Sequence, residues 1–510
     1  MSHANPDSKT EAEVSRAQTA DDYDAGNLKE DAGQKRDYSG AVTSTDPAEK
    51  ALVRKLDWRI MPTLCVMYFL NYVDRNAIAQ ARLNDLEKDL GMSGFDFNVA
   101  VSILFVGYVL FQIPSNMLIT RIRPSIYMSS WMIVWAIVSA CTALVHNRGG
   151  LIASRFFLGI TEAPFYPGAT YMLSIFYPRR EVATRIALLY CAQILATGFS
   201  GLIAAGVFAG LDDVRGISGW RWWVTPFLNQ TTWVQFLTQK TGIRLFIIEG
   251  AATALVGLLG FWVLPDTPLT TRWLNEDERK IAHERMERDR VDDQGESSVM
   301  VGLKQAVKDP KAWAFCLMQN LHLSACSFNS FFPTVVKTLK FNTTQTLLMT
   351  CPPFIVAGMF GIGFGWSSGR LHERTWHITV GLALAVVGFV LAAAEMSVAG
   401  RYTACFIFAA GAYSVNSVII GWASSTCSQT KEKKAVVLAM TNVAGQIGYI
   451  YGAYIWPSTD EPRYTIGFSA SAAFALGSIA CAWWIRLMLI RENKRIVEAA
   501  AGAPVNLYGY

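Results

Sequence analysis

Twelve predominantly apolar stretches, each about 20 residues long, constrain the fold of this chain more than any other feature. A stretch of that length crosses the hydrocarbon core of a bilayer as a single helix. It must be helical, because lipid offers no partner for unpaired backbone groups. The sequence therefore predicts an all-α polytopic membrane protein with twelve transmembrane helices in two six-helix bundles. The predicted spans are 61–79, 97–119, 127–145, 151–177, 186–211, 245–264, 312–335, 347–369, 376–394, 402–424, 436–456 and 465–485.

Composition agrees with this class and argues against others. Hydrophobic residues make up 52% of the chain and charged residues 17%, whereas soluble domains carry about 25% charged residues. The net charge of +5 is mild and its bases lie in short loops and tails, so we expect no nucleic-acid partner. The nine cysteines lack metal-ligand spacing, so we expect no metal and no cofactor. Phosphate-loop and HExxH motifs are absent from the sequence, which argues against an enzyme.

The polar segments divide the chain into parts. We predict a disordered cytoplasmic tail at 1–55, bundles at 56–264 and 312–490, and a second cytoplasmic tail at 491–510. The central cytoplasmic loop, 265–311, is the most charged stretch of the chain. In it, acids precede bases by three or four residues, which predicts a surface helix near 275–288. Two six-helix halves joined by such a loop are typical of transporters that rock one half against the other.

Loop charge predicts the orientation, because cytoplasmic loops are enriched in Lys and Arg. We expect both termini to be cytoplasmic, in a monomer at the plasma membrane. Asn342 then falls in an outer loop, within a glycosylation tripeptide. The bases that support this orientation are Arg121, Arg123, Arg179, Arg180, Arg185, Arg370, Arg374, Lys431, Lys433, Lys434, Arg491, Lys494 and Arg495.

Five charged residues fall inside the predicted spans: Asp74, Arg75, Arg155, Glu162 and Glu249. An ionised side chain at mid-bilayer costs about 2.5–3.5 kcal/mol on insertion scales, so each needs a partner or a function. Arg155 and Glu162 are seven residues apart and share a helix face. Asp74 and Arg75 point about 100° apart, so they cannot both serve one narrow contact. We expect these groups to surround an aqueous cavity between the halves.

A structural role is the alternative interpretation of each charge. The charges could pair with one another and fix helix packing, and Arg155 could extend to the membrane interface. We interpret Glu249 as a structural residue, with a functional charge as the alternative. We interpret His322 as a hydrogen-bonded packing residue, with a proton relay as the alternative. Other polar residues that could line the cavity are Asn71, Asn76, Gln193, Gln319, Asn320, Asn329, Asn416, Asn442 and Gln446.

Several motifs, in order, carry a resemblance to a known family. They are Asn71-Tyr72-Val73-Asp74-Arg75-Asn76, Arg155-Phe156-Phe157-Leu158-Gly159-Ile160-Thr161-Glu162-Ala163, Gly219-Trp220-Arg221-Trp222, Leu264-Pro265-Asp266-Thr267-Pro268, Arg272-Trp273-Leu274, Asn442-Val443-Ala444-Gly445-Gln446 and Pro462-Arg463-Tyr464-Thr465-Ile466-Gly467-Phe468. Over about residues 56–495 the chain resembles the major facilitator superfamily. More narrowly, it resembles the anion:cation symporters and their fungal allantoate-permease branch.

The resemblance implies a carrier of carboxylate vitamins, ureides or related nutrients, driven by protons. It implies that Asp74 and Glu162 carry protons and that Arg75 and Arg155 engage the substrate anion or those acids. We add Asn71, Gln193, His322 and Asn442 as substrate-binding candidates. The sequence departs from the superfamily's gating loops, which usually hold an Asp: residues 114–121 contain no acid, and Gly369 stands where an Asp is common.

A second departure is an atypical insert at 223–244, in the outer loop before the sixth span. The family-like sequence becomes continuous when Trp222 is joined directly to Leu245. The insert has no clear helix or strand period. We hypothesise that it is a retained intron in the coding sequence, with a genuine elongated outer loop as the alternative.

Together these observations predict a secondary transporter that takes up a small organic anion with protons by alternating access. Two alternatives stay open. A mainly aromatic, uncharged cavity would favour the first, a proton-antiport exporter. The intramembrane arginines instead favour an anion as the substrate. A nutrient-sensing receptor could keep the fold and signal through its tails. The sequence does not choose among nicotinate, pantothenate, biotin, allantoate and dicarboxylates as substrates.

Overall fold

The computed structural model describes residues 46–83, 86–93, 95–119, 122–211, 244–288, 299–371, 373–394, 397–427, 429–499 and 508–509. In these residues the regular structure is entirely helical, and each predicted span falls on helical residues. The all-α architecture is therefore confirmed. The helices of the spans are Pro47–Arg82, Asp96–Ile119, Pro124–Thr142, Arg148–Glu162 with Phe165–Phe176, Arg179–Leu211, Arg244–Val263, Pro310–Ala325 with Phe332–Lys337, Thr343–Leu371, Thr375–Ala393, Val398–Ser414 with Asn416–Thr426, Lys431–Gly452 and Thr465–Ala499.

The fourth, seventh and tenth spans are broken helices, although each was predicted as one continuous stretch. The fourth breaks at Pro164, which has no backbone N–H to donate to the preceding turn. The seventh passes through a 3₁₀ segment, Cys326–Phe331, before Pro333 starts its last helical piece. The tenth breaks at Val415. Such breaks are tolerated within the membrane, where neighbouring helices can satisfy the freed backbone groups.

The second and fourth spans approach each other closely through two glycines. A Cβ on Gly107 would lie 2.3 Å from the carbonyl oxygen of Phe156, and one on Gly159 would lie 2.0 Å from that of Leu104. Any larger side chain would push the helices apart, which is why small residues mark tight contacts in membranes. This contact fixes the part of the fourth span that carries Arg155 and Glu162.

The tail predicted at 1–55 must be shortened, because the first helix begins at Pro47. Asp46 caps it by accepting a hydrogen bond of 2.9 Å from the backbone N–H of Ala48. The earlier residues, 1–45, lie outside the described part of the chain. At the other end, the last helix runs to Ala499, beyond the predicted bundle boundary at 490. A helix of this length can continue beyond the bilayer, because the backbone N–H and C=O groups of its exposed turns hydrogen-bond within the helix.

The predicted helix of the central loop is confirmed as Glu276–Arg288. Its first turn is acidic, which suits the positive end of the helix dipole. Arg285 of this helix forms an ion pair with Glu181, and Glu181 lies 3.3 Å from Arg185. Arg185 in turn binds both carboxylate oxygens of Asp57 at 2.8 Å. The central loop is thus anchored to the first half by alternating charges. Residues 212–243, which include nearly all of the predicted insert, lie outside the described residues.

On the side opposite the central loop, the two halves contact each other through polar groups. The side-chain amide of Asn98, in the second span, donates to the carbonyl oxygens of Ala453 and Trp456 at 2.5 and 3.4 Å. The hydroxyls of Ser102 and Tyr454 lie 3.2 Å apart. These bonds join the second span to the end of the eleventh and hold the halves together on that side.

Candidate functional site

A cavity of about 520 Å³ lies between the two halves. Its walls come from the first, second, fourth and fifth spans on one side and the seventh, tenth and eleventh on the other. The first half contributes Tyr68, Asn71, Tyr72, Arg75, Tyr108, Glu162, Phe165, Tyr166, Tyr190 and Gln193. The second half contributes Gln319, Leu323, Asn416, Ile420, Asn442, Gln446 and Tyr449.

Arg75 and Glu162 form an ion pair on the wall of this cavity. The Nε and Nη2 atoms of Arg75 donate to Oε2 of Glu162 at 3.0 and 2.6 Å. The Glu162 side chain is fully buried, and that of Arg75 is 10% exposed. The rings of Tyr72 and Tyr108 lie 4.9 and 5.3 Å from the guanidinium carbon, within cation–π range. The sequence predicted both residues at the cavity, but it related Glu162 to Arg155, on the same helix face, and did not predict its contact with Arg75.

Tyrosines form much of the cavity wall, and sequence reasoning missed them. The hydroxyls of Tyr166 and Tyr190 lie 3.0 Å apart, and Tyr68 donates to Oε1 of Gln193 at 3.2 Å. Tyrosine in membrane helices usually collects at the two interfaces. Tyrosines within the first, second and fifth spans, away from the usual interface positions, could therefore have indicated the cavity wall. They make the wall aromatic while supplying hydroxyl groups for hydrogen bonding.

The second half lines the cavity with amides. Gln319 donates to Oδ1 of Asn416 at 2.9 Å, and Gln446 lies 3.5 Å from Oδ1 of Asn442. Four of the amides predicted from the second half, and both Asn71 and Gln193 of the first, thus reach the wall. Asn320 does not line it. Its side chain instead donates to the carbonyl oxygen of Ala444 at 2.7 Å and accepts from Tyr451.

A second cavity of about 540 Å³ adjoins the first at Arg75, and Arg155 contributes to its wall. Asn329 of the seventh span donates to Asn76 of the first at 3.2 Å there. Arg155 is fully buried, so the interpretation that it extends to the membrane interface is wrong. Three acids, Glu162, Asp74 and Glu249, interact electrostatically with Arg155. Their negative charges favour a buried position for its guanidinium.

Asp74 faces away from the first cavity, toward the sixth span. Its Oδ2 accepts a hydrogen bond of 3.4 Å from Thr253, and its carboxyl group also contacts that of Glu249. Asp74 and Arg75 therefore serve different contacts, as their angular separation on the helix predicted. Glu249, interpreted from the sequence as structural, is joined to a residue predicted to carry protons.

His322 does not line either cavity, which corrects its prediction as a substrate-binding residue. Its side chain is fully buried, and Nε2 lies 2.8 Å from the carbonyl oxygen of Ala412. The Sγ of Cys326 lies 3.6 Å from the same nitrogen. The physical reason is helix phase, because His322 is on the face of the seventh span that packs against the tenth. It is a hydrogen-bonded packing residue, as the sequence first indicated, before His322 was added to the substrate-binding candidates.

Comparison with known proteins agrees with this architecture. Residues 64–453 match the family model described as Major Facilitator Superfamily. The chain is 31% identical over 466 residues to the major facilitator-type transporter hxnP of Emericella nidulans, covering 88% of each chain. It is 31% identical over 459 residues to the MFS-type transporter efuF of Hormonema carpetanum, covering 88% of this chain and 87% of that one.

A solved structure shares the fold. It is the crystal structure of a bacterial homologue of the human lysosomal transporter Spinster, in an inward-facing and occupied conformation. The TM-score is 0.65 at 15% identity, and the match covers 88% of this chain and 99% of that one. The fold, the family model and the relatives agree: this chain belongs to the Major Facilitator Superfamily and is a multi-pass membrane transporter of small molecules.

Proposed function

We propose that this transporter is a proton-coupled symporter of a small organic anion. The observation that carries the proposal is the Arg75–Glu162 ion pair on the wall of the central cavity. Arg75 is the one cation among the described residues that line that cavity. Its planar guanidinium binds a carboxylate through two parallel hydrogen bonds, so it suits an organic anion as ligand.

In this mechanism the substrate and a proton cooperate at one residue. Glu162 occupies Arg75 while it is ionised. Protonation of Glu162 removes its charge, so Arg75 can exchange that partner for the carboxylate of the substrate. The anion and the proton therefore bind together, and the loaded and empty states differ in which partner holds Arg75. A ligand that binds one state better than the other shifts the balance between outward and inward conformations.

The electrical balance sets a condition on the number of protons. A monoanion that enters with one proton moves no net charge and gains nothing from the membrane potential. Each additional proton adds about 2.3 kcal/mol per 100 mV. Uptake driven by voltage therefore needs a second proton-binding group. Asp74 is the candidate for this role.

The family-like motifs, 71–76 and 155–163 among them, support the narrower assignment to the anion:cation symporters, in the fungal allantoate-permease branch. Loop charge supports cytoplasmic termini, and we place the carrier in the plasma membrane. Uptake from outside is the direction that this arrangement favours, because the inward proton gradient then drives accumulation. Coupling at Glu162 does not depend on which carboxylate is carried.

The test is reconstitution of the purified full chain in proteoliposomes with a pH gradient. Radiolabelled nicotinate, pantothenate, biotin, allantoate and succinate would be offered in turn, with each acid competed by its uncharged amide or ester. We expect accumulation of at least one acid that collapses when a protonophore is added. Accumulation that is unchanged by the protonophore would contradict the proposal. Stronger binding of the uncharged analogue than of the acid would contradict it as well.

A second candidate function is export by proton antiport, and the tyrosine-rich wall favours it. Aromatic walls bind flat, weakly charged compounds by stacking. The two functions predict opposite directions of substrate flux for the same pH gradient. Flux measured with the gradient imposed in each direction distinguishes them. A sensor, in contrast, would bind ligand without net flux in either arrangement.

A further inference from the structure

We propose that Asp74 and Glu249 share one proton and together form a second proton-binding site of this carrier. The inference deepens the proposed symport, on which its role in transport rests. It assigns Glu249 a function and locates the second proton away from the substrate cavity. The site is a buried pair of carboxyl groups contributed by the first and sixth spans.

The geometry of the sixth span brings both of its polar side chains to Asp74. Glu249 and Thr253 are four residues apart, so they lie one above the other on a single helix face. Thr253 donates to Oδ2 of Asp74 at 3.4 Å, and the Glu249 carboxyl contacts the Asp74 carboxyl. A hydrogen bond between two carboxyl groups requires a proton on one of them, because ionised carboxylates only accept.

Burial makes the doubly ionised pair unfavourable. Asp74 is 1% exposed and Glu249 is 7% exposed. Oδ1 of Asp74 and Oε2 of Glu249 are both buried, and among the described residues no N–H or hydroxyl group donates to either atom. Two ionised carboxylates in contact in such a place repel each other and lack the donors that would stabilise their charges, so we expect the pair to keep one proton.

The sum of the buried charges also favours one proton on the pair. The charged groups that face the pair are Arg155 and Glu162 of the fourth span, and Glu162 is joined to Arg75. Three acids and two bases thus make up this cluster among the described residues. One proton on the Asp74–Glu249 pair brings the sum of their charges to zero, which a low-dielectric site favours.

Arg155 connects the pair to the substrate cavity. It interacts with Asp74 and Glu249 on one side and with Glu162 on the other. Loss of the shared proton strengthens the attraction of the pair for Arg155. Arg155 then stabilises the ionised form of Glu162 less than before. Glu162 is the residue that competes with the substrate for Arg75, so this change reaches the cavity. The pair therefore communicates with the cavity without contacting the substrate.

Infrared difference spectroscopy tests the pair directly, using protons as the only ligand. The purified full chain in lipid vesicles would be titrated from acid to alkaline pH in H₂O and D₂O, and the bands of protonated carboxyl groups recorded. We expect one protonated carboxyl signal to be lost in both Asp74→Asn and Glu249→Gln, because a neutral amide then bonds to an ionised acid. Glu284→Gln, the same change on the exposed central-loop helix, should retain it.

Retention of the wild-type signal in either Asp74→Asn or Glu249→Gln would overturn the shared proton. If a variant fails to fold, as judged by size-exclusion profile and melting temperature, Glu249→Asp gives the answer. That variant keeps a carboxyl group but moves it, so its signal should titrate at a different pH. An unchanged titration would overturn the proposal. The measurement needs no substrate, so its outcome is independent of whether symport itself is demonstrated.

Discussion

The guanidinium of Arg75 holds the carboxylate of Glu162 across 87 positions of sequence, with 2.6 Å between Nη2 and Oε2. One partner comes from the first span and the other from the end of the first helical piece of the fourth. Removing one member of a buried ion pair leaves the other uncompensated, so we expect substitutions at either residue to have large consequences for transport.

Glu162→Gln should abolish uphill accumulation while preserving substrate counterflow. The amide resembles the protonated acid, so it leaves Arg75 available for a substrate carboxylate but cannot release a proton. The accumulation ratio should therefore fall to that of passive equilibration. Uptake into proteoliposomes with and without a pH gradient measures this ratio.

The matched control is Glu284→Gln, the same chemical change on the exposed central-loop helix. It should transport like the unmodified protein. Undiminished, pH-dependent accumulation by Glu162→Gln would remove Glu162 from the coupling mechanism.

Arg75→Lys should lower the apparent substrate affinity about tenfold or more, a loss of about 1.4 kcal/mol. The lysine keeps the positive charge but loses the planar fork that binds a carboxylate through two bonds. Arg148→Lys, at an arginine whose side chain is 63% exposed, is the control. The concentration dependence of initial uptake supplies the affinity. Equal affinities in the two variants would mean that Arg75 is structural or that the substrate is not a carboxylate.

Asp74→Asn and Glu249→Gln should have the same transport phenotype. Each leaves one carboxylate bonded to one amide, which matches the charge of the pair when it carries its proton. Both variants should lose accumulation and exchange substrate at a rate that no longer changes with pH. Comparing the pH profiles of counterflow checks this equivalence. A strong defect in Asp74→Asn beside a normal Glu249→Gln would leave Asp74 as the sole acid of this site.

Asn98→Ala should shift the protein toward opening on the side opposite the central loop. The substitution removes the donor to Ala453 and Trp456, at about 0.5–1.5 kcal/mol per hydrogen bond. Nitroxide labels at the exposed residues Ser93 and Thr459, in a cysteine-depleted background, would report the separation of the halves. We expect a larger population of long distances than in the unmodified protein. The exposed amide change Gln345→Ala should leave the distribution unaltered, and an equal shift in both would refute a specific role of Asn98.

Sequencing the mature transcript tests the hypothesis of a retained intron at 223–244. Reads that join the Trp222 codon directly to the Leu245 codon would support it, and their absence at good depth would contradict it. If the segment is a true loop, its deletion should leave transport intact, because the charged residues of the site lie elsewhere. Uptake by the deletion variant, compared with the full chain, measures this.

The fold was largely predictable because lipid restricts the choices. Apolar length alone led to the prediction of twelve spans, and the structure has helices at each of them in the residues it describes, since a spanning segment in lipid is a helix. Pro164 was recognised only as a kink position and not as a helix end, because proline occurs in continuous membrane helices as well. The break at Val415 was not predicted, because no proline marks it. The start at Pro47 was missed for a different reason. Helical turns outside the bilayer are polar, so apolar length does not predict them. Asp46 before Pro47 is nevertheless a recognisable N-cap.

The sequence indicated which charged residues lie within the bundle, but not which of them contact one another. The energetic cost of a charge inside the membrane singled out Asp74, Arg75, Arg155, Glu162 and Glu249 as residues that need a partner or a function. Periodicity places residues on one helix face but says nothing about the neighbouring helix. It placed Glu162 on the same face as Arg155, whereas the hydrogen-bonded partner of Glu162 is Arg75 of another helix. The contact between Asp74 and Glu249 escaped detection for the same reason.

The cavity walls are chemically unequal, because the ion pair belongs to the first half, whereas the second half contributes only uncharged side chains. Under the proposed symport, the proton-coupled residues of the cavity therefore lie on one half of the molecule. Exchanges among Gln319, Asn416, Asn442 and Gln446 would then change the contacts with the substrate while the Arg75–Glu162 ion pair stays intact. Such a carrier could diversify its substrates by substitutions in one half, and an engineer could retarget it along the same route.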